Sequence, residues 1–192
     1  MSNLDLGNNE FINFEFHENS KKPTILFSNS LGSDLNMWNP QVEFFKNDYQ
    51  LVLYDKRGHG KSSPIQGPYN FDMLENDVIS IMDELNITTA HFVGLSMGGM
   101  TSLGLALKYP DRFNKMVCCA ARADMPPPAI ESWDQRMAVV EEKGTEGVVQ
   151  GSIERWFSDE FRNDSSNSDI INKAEEMILS LIHISEPTRR YR

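Results

Sequence analysis

A chain of 192 residues, 40% hydrophobic and 24% charged, holds enough apolar material for the core of one domain, or of one domain with a small insertion. Its net charge of −10 and pI near 4.8 argue against nucleic acid as a partner, since that binding requires Lys and Arg to neutralise phosphates; an anionic substrate is repelled at long range unless the pocket carries cations. No apolar run long enough to cross a membrane is present, and the stretch from Met1 to Glu10 is polar and acidic, unlike a secretory signal.

In chain order, Phe11, Ile12, Phe14 and Phe16 read as an early strand. Thr24 to Phe27 is a short apolar run behind Pro23, ending in Ser28-Asn29-Ser30-Leu31-Gly32, the pattern of a buried strand entering a tight loop. A helix is expected from about Asn36 to Lys46. Leu51 to Tyr54 is the next buried strand, stopped by Asp55-Lys56-Arg57-Gly58-His59-Gly60. Leu74, Val78, Ile81 and Leu85 fall at helical spacing within Asp72 to Leu85. His91 to Gly94 is a core strand, Met97 to Tyr109 a helix ended by Pro110, and Lys115 to Ala121 a further core strand. Strands that are continuous apolar runs, alternating with helices, predict an α/β fold: a mostly parallel sheet with helices on both faces. Cys118 and Cys119 are neighbours on a strand and point to opposite faces, so they do not pair; with no zinc spacing, they are expected as buried thiols in a reducing cytoplasm.

After Met125-Pro126-Pro127-Pro128 the alternation stops. Ile130 to Glu142, Glu146 to Phe157 and Asp169 to Ile178 read as helices, and Asn163 to Ser168 as a polar loop. The expected organisation is a core over 1–124 and the start of a helical cap over 125–178.

Gly94-Leu95-Ser96-Met97-Gly98 fits G-x-S-x-G between an apolar strand and an amphipathic helix. In that setting Ser96 turns sharply so that its hydroxyl stands clear of the sheet, and side chains at Gly94 and Gly98 would collide. The helix beginning at Met97 directs its positive end and free N–H groups toward the reaction centre. Acyl transfer needs two N–H donors for the developing oxyanion. The backbone N–H of Met97 is one candidate, and that of Leu31, in the loop after the earlier strand, is the other.

The segments Phe27-Ser28-Asn29-Ser30-Leu31-Gly32, Trp38, Tyr54-Asp55-Lys56-Arg57-Gly58-His59-Gly60-Lys61-Ser62, Gly67-Pro68-Tyr69 and His91 to Met100 resemble the 3-oxoadipate enol-lactonase family of α/β-hydrolases. Trp133, Arg136 and Arg155-Trp156-Phe157 lie where that family has a cap bearing Trp and Arg. The D-x-R-G-x-G-x-S and elbow segments are shared widely among α/β-hydrolases; the Asn-Ser-Leu-Gly loop and Gly-Leu-Ser-Met-Gly-Gly-Met are more particular to the lactonases. The resemblance implies a cytoplasmic serine hydrolase opening a five-membered enol-lactone in aromatic catabolism, the β-ketoadipate pathway, with no metal or organic cofactor. Its partner is a small lactone or ester, with neither nucleic acid nor membrane involved. Ser96 attacks the ring carbonyl, and a His held by an Asp assists hydrolysis of the acyl-enzyme. Trp133, Arg136 and Arg122 are candidates for the substrate pocket, the two arginines because a buried carboxylate needs a cation.

On this fold the acid and the His follow the nucleophile. Of His17, His59, His91 and His183, only His183 follows Ser96. It sits in Leu179-Ser180-Leu181-Ile182-His183-Ile184-Ser185-Glu186-Pro187-Thr188-Arg189, which reads as translated sequencing adapter. Residues 179–192 are therefore expected to be a non-native tail, with the last strands, the catalytic acid and the catalytic His absent. The strand from Lys115 to Ala121 is then left at an open sheet edge, and Ser96 without a base is a weak nucleophile. His59 can line a pocket edge but has the wrong order for the base. Asp124 follows the strand after the nucleophile, where some hydrolases place their acid, yet it also reads as a loop residue ahead of the prolines. Two alternatives stay open: another esterase or C–C hydrolase, because the elbow does not define the substrate, and a non-catalytic binding protein of the same fold.

Overall fold

The computed structural model describes residues 2–65 and 67–181. They divide into two units, one of 2–65 with 69–124 and one of 67–68 with 125–181.

The first unit is built on a six-stranded sheet in the order β1-β2-β4-β3-β5-β6. The strands are β1 (Ser2–Gly7), β2 (Glu10–His17), β3 (Thr24–Ser28), β4 (Gln50–Tyr54), β5 (Ala90–Leu95) and β6 (Phe113–Cys119). β1, β2 and β4 pair antiparallel; β4, β3, β5 and β6 run parallel. The expectation of a mostly parallel sheet with helices holds. β1 went unforeseen. Its signal is the alternation of Leu4 and Leu6 ahead of Asn8-Asn9, both at positive φ (56 and 64), which suits a two-residue hairpin turn.

The central strands are apolar throughout because both faces are covered. Ile25, Phe27, Leu51 and Leu53 pack on one face with Leu35, Trp38 and Val42, the last from α1 (Asn39–Phe45). Leu26, Val52, Tyr54 and Phe92 pack on the other with Val78, Ile81 and Met82 of α2 (Phe71–Glu84) and Leu105 of α3 (Met97–Lys108). Successive residues of one strand thus feed two different cores. The helix expected from Asn36 starts as a 3-10 turn, Leu35–Trp38, capped by the Asp34 side chain on the Asn36 N–H, and becomes α-helical at Asn39 with Pro40 in its first turn.

Two expectations need correction. β6 forms part of the sheet but is not a core strand: Val117 is 50% exposed, since β6 pairs with β5 alone among the described residues. For the same reason Cys118 is exposed and Cys119 only half-buried, so neither is a buried thiol.

The second unit is helical: α4 (Pro127–Lys143), α5 (Glu146–Trp156), α6 (Asp159–Asn163) and α7 (Ser168–Leu179). α4 starts at the prolines themselves, whose missing N–H costs nothing in a first turn. Ile153, Ala174 and Ile178 form its core, with Val148, Val149, Phe157 and Ile171 around them. Leu181 is buried, whereas His183 and the rest of the tail, 182–192, lie outside the described residues.

Candidate active site

Ser96 sits between the last residue of β5 and the first of α3, half-buried, with φ 53 and ψ −111. A residue with a Cβ holds that conformation only at a cost of about 1–3 kcal/mol. The neighbours explain why it persists. The Ser96 N–H donates to Cys119 O at the end of β6 (2.9 Å), and Ser96 O accepts from the Met100 N–H (2.8 Å). A Cβ on Gly94 would stand 2.3 Å from Gly98 O, and one on Gly98 would stand 2.1 Å from Ser28 O. Both glycines are therefore required by backbone contact. Met97 is the first residue of α3, so its N–H has no intrahelical partner.

Because Ser28 lies in register with Gly94, and Gly98 presses on Ser28, the loop after β3 leaves the sheet beside the start of α3. This loop holds Leu31, which is half-buried between buried neighbours. It is fastened by the segment that follows β4, a polar stretch that is largely buried. The Lys56 ammonium, wholly buried, donates to Asn29 O and lies 3.3 Å from Asn29 Oδ1. Burial pushes its pKa down to about 7 against the upward pull of Asp55. Asp55 accepts from the Leu35 N–H (2.8 Å), the Lys61 N–H (2.9 Å) and Asn13 Nδ2 (2.7 Å). Desolvation still raises its pKa above the usual carboxylate range. Gly60 is needed at φ 49, since a Cβ there would meet the Asp55 carboxylate at 2.4 Å.

His59 is 3% exposed. Its Nε2 accepts from the Gly32 N–H (3.3 Å), which puts the ring proton on Nδ1, where it donates to Arg57 O (3.1 Å). Burial lowers its pKa to about 4, so the ring is neutral near pH 7. Arg57 in turn forms a bidentate pair with Asp77 of α2, Nε to Oδ2 at 2.8 Å, with both side chains buried. In sequence these residues read as a loop; their burial is visible only in the fold. The available signal was a run of charged residues set directly after a buried strand.

No described imidazole is placed to take the Ser96 proton. His17 pairs with Leu51 near the start of β4, and His91 stands at the opposite end of β5 from Ser96. Both ring nitrogens of His59 are engaged. Asp124 is exposed and paired with Arg122 Nε at 3.2 Å. In the helical unit, Arg136 lies over the Trp133 ring, 4.4 Å from its centroid. Burial, and then the charge of Arg155, push the Arg136 pKa down. No group of His, Cys, Asp and Glu suited to a metal ion occurs among the described residues, and no described helix is long and apolar enough to cross a membrane.

The 3-oxoadipate enol-lactonase 2 of Acinetobacter baylyi is 39% identical over 154 residues, which are 80% of this chain and 57% of that protein. A Caulobacter sp. (strain K31) protein named as a carbamate hydrolase, RutD, is 32% identical over 131 residues, 68% of this chain and 49% of that protein. The crystal structure of the enol-lactonase from Burkholderia xenovorans LB400 superposes with a TM-score of 0.83 at 31% identity, covering 93% of this chain and 69% of that one. The chain thus spans about half the length of the curated relatives it matches. Residues 23–169 match the family described as the alpha/beta hydrolase fold, and with the strand order and the strained turn at Ser96 they assign this chain to that family.

Proposed function

We propose that Ser96 is the nucleophile of a hydrolase acting on carboxylic esters or lactones, and that the substrate is 3-oxoadipate enol-lactone. The observation that carries the reading is the conformation of Ser96, held at φ 53 between glycines whose Cβ atoms have no room. A protein that only binds a ligand has no use for such strain, which speaks against the binding-protein alternative.

In the reaction the Ser96 hydroxyl adds to the lactone carbonyl. The oxyanion lies between the N–H groups of Leu31 and Met97. Collapse breaks the ring C–O bond, leaving an acyl-enzyme and an enolate that takes up the proton lost by the Ser96 hydroxyl and becomes the ketone; water then hydrolyses the acyl-enzyme to the carboxylic acid and restores the Ser96 hydroxyl. The substrate's free carboxylate calls for a cation. Arg122 and Arg136 are the candidates; Arg122 is engaged by Asp124, and Arg136, within the helical unit, lies near the like charge of Arg155. A second reading, hydrolysis of a carbamate, is favoured by the likeness to the Caulobacter protein. With no imidazole at Ser96 among the described residues, the 192-residue chain is expected to turn over slowly.

A fluorophosphonate probe tests the nucleophile. Ser96 is expected to label slowly but ahead of the other serines, and Ser96→Ala to abolish that labelling; an unlabelled Ser96 on long exposure refutes the role. Enol-lactone, p-nitrophenyl acetate and a carbamate, assayed side by side, separate the substrate classes. Turnover near about 10 s⁻¹, an ordinary enzyme rate, would overturn the expectation of a slow chain.

A further inference from the structure

We infer that His59 is a positioning residue for the oxyanion loop, setting the orientation of Leu31 by holding the N–H of Gly32. The inference rests on Ser96 acting as proposed.

The loop Asn29–Ser33 belongs to no strand or helix, so its peptide planes have no ladder to fix them. Gly32, at φ 84, is free to reach many conformations. The loop's own side chains hold part of it, Ser33 Oγ donating to Ser30 O (3.1 Å) and Asn29 Nδ2 to Ser33 O, and two side chains from the segment after β4 add outer anchors. Lys56 grips the Asn29 carbonyl and His59 takes the Gly32 N–H, leaving Leu31 bracketed between the two anchors. An apolar residue at 59 would leave the buried Gly32 N–H without its acceptor. The hydrogen bond also depends on a defined tautomer. Nε2 can accept only while the proton is on Nδ1, and Arg57 O keeps it there. Arg57 is itself fixed by Asp77. A relay therefore runs from α2 through Asp77, Arg57, His59 and Gly32 to Leu31. His59 touches no reacting atom in this arrangement; it acts through the loop.

Two substitutions divide the ring's functions. In His59→Gln the side-chain carbonyl reaches as far as Nε2 and can accept from Gly32. In His59→Asn the shorter amide reaches only as far as Nδ1 and keeps the Arg57 contact alone. The 192-residue chain carrying each is examined by fluorophosphonate labelling of Ser96, with the maximal rate separated from the half-saturating probe concentration, and by amide hydrogen exchange at Gly32. For His59→Asn we expect a maximal rate lower by about 10- to 100-fold, below the 10²–10³ for outright loss of an oxyanion donor. Half-saturation should stay within about twofold, and Gly32 exchange should rise at least about tenfold. His59→Gln should stay within about threefold of wild type on both readouts. Equal losses in Gln and Asn would show a role in packing only and overturn the inference. Faster Gly32 exchange with unchanged labelling would overturn it as well. If His59→Asn does not fold, His59→Gln decides alone: wild-type values on both readouts support the clamp, and loss of both refutes it. A wild-type chain that does not label fails the nucleophile reading first, and this inference with it.

Discussion

β4 and β6 are parallel strands of one sheet, each followed by a loop bearing a paired arginine, yet they live in different solvents. β4 lies between β2 and β3 with a core on either face, and Leu51, Val52 and Leu53 are fully buried. Among the described residues β6 has β5 on one side only, and its burial is partial at best. The contrast continues into the loops. After β4, Asp55, Lys56, Arg57 and His59 are buried and tie down the neighbouring loop. After β6, Arg122 and Asp124 face water, with side chains 46% and 77% exposed, against 9% and 3% for Arg57 and Asp77. The same ion-pair chemistry therefore orders a candidate site in one place and decorates a surface in the other.

The largest test of that contrast is Arg57→Ala, which strands the Asp77 carboxylate in the interior and should cost about 3–5 kcal/mol in urea unfolding. Arg122→Ala should change stability by less than about 0.5 kcal/mol. Equal effects would break the comparison. Leu53→Ala in β4 should cost about 2–5 kcal/mol, whereas Val117→Ala in β6 should stay under about 1 kcal/mol.

Acid sharpens the picture further. The imidazole of the unfolded chain protonates as pH falls through about 6.5, while buried His59 resists until about 4. Its contribution is complete above the higher value and is lost as pH falls toward the lower, up to about 3 kcal/mol in all. His59→Gln should remove that part of the slope, read as the difference between the two urea midpoints at pH 7 and pH 4.5. The smallest effect is chemical. Iodoacetamide should modify exposed Cys118 faster than half-buried Cys119 in the folded chain, and mass spectrometry of the peptide can rank them.

What could be read from the residues was local. Alternating apolar runs and helical spacings specify strands and helices because side-chain periodicity is a property of the backbone itself, and Gly94-Leu95-Ser96-Met97-Gly98 announces a tight turn because only glycine tolerates such crowding. The open sheet edge at β6 is legible too, yet its thiols read as interior, since an apolar run looks the same in the middle of a sheet and at its rim. The tertiary structure alone decided which charged residues go inside. Asp55-Lys56-Arg57 reads as a solvated loop in one dimension. It becomes a buried clamp only because β4 and β3 are neighbours in space, bringing their two loops side by side so that each supplies the other's missing hydrogen-bond partners.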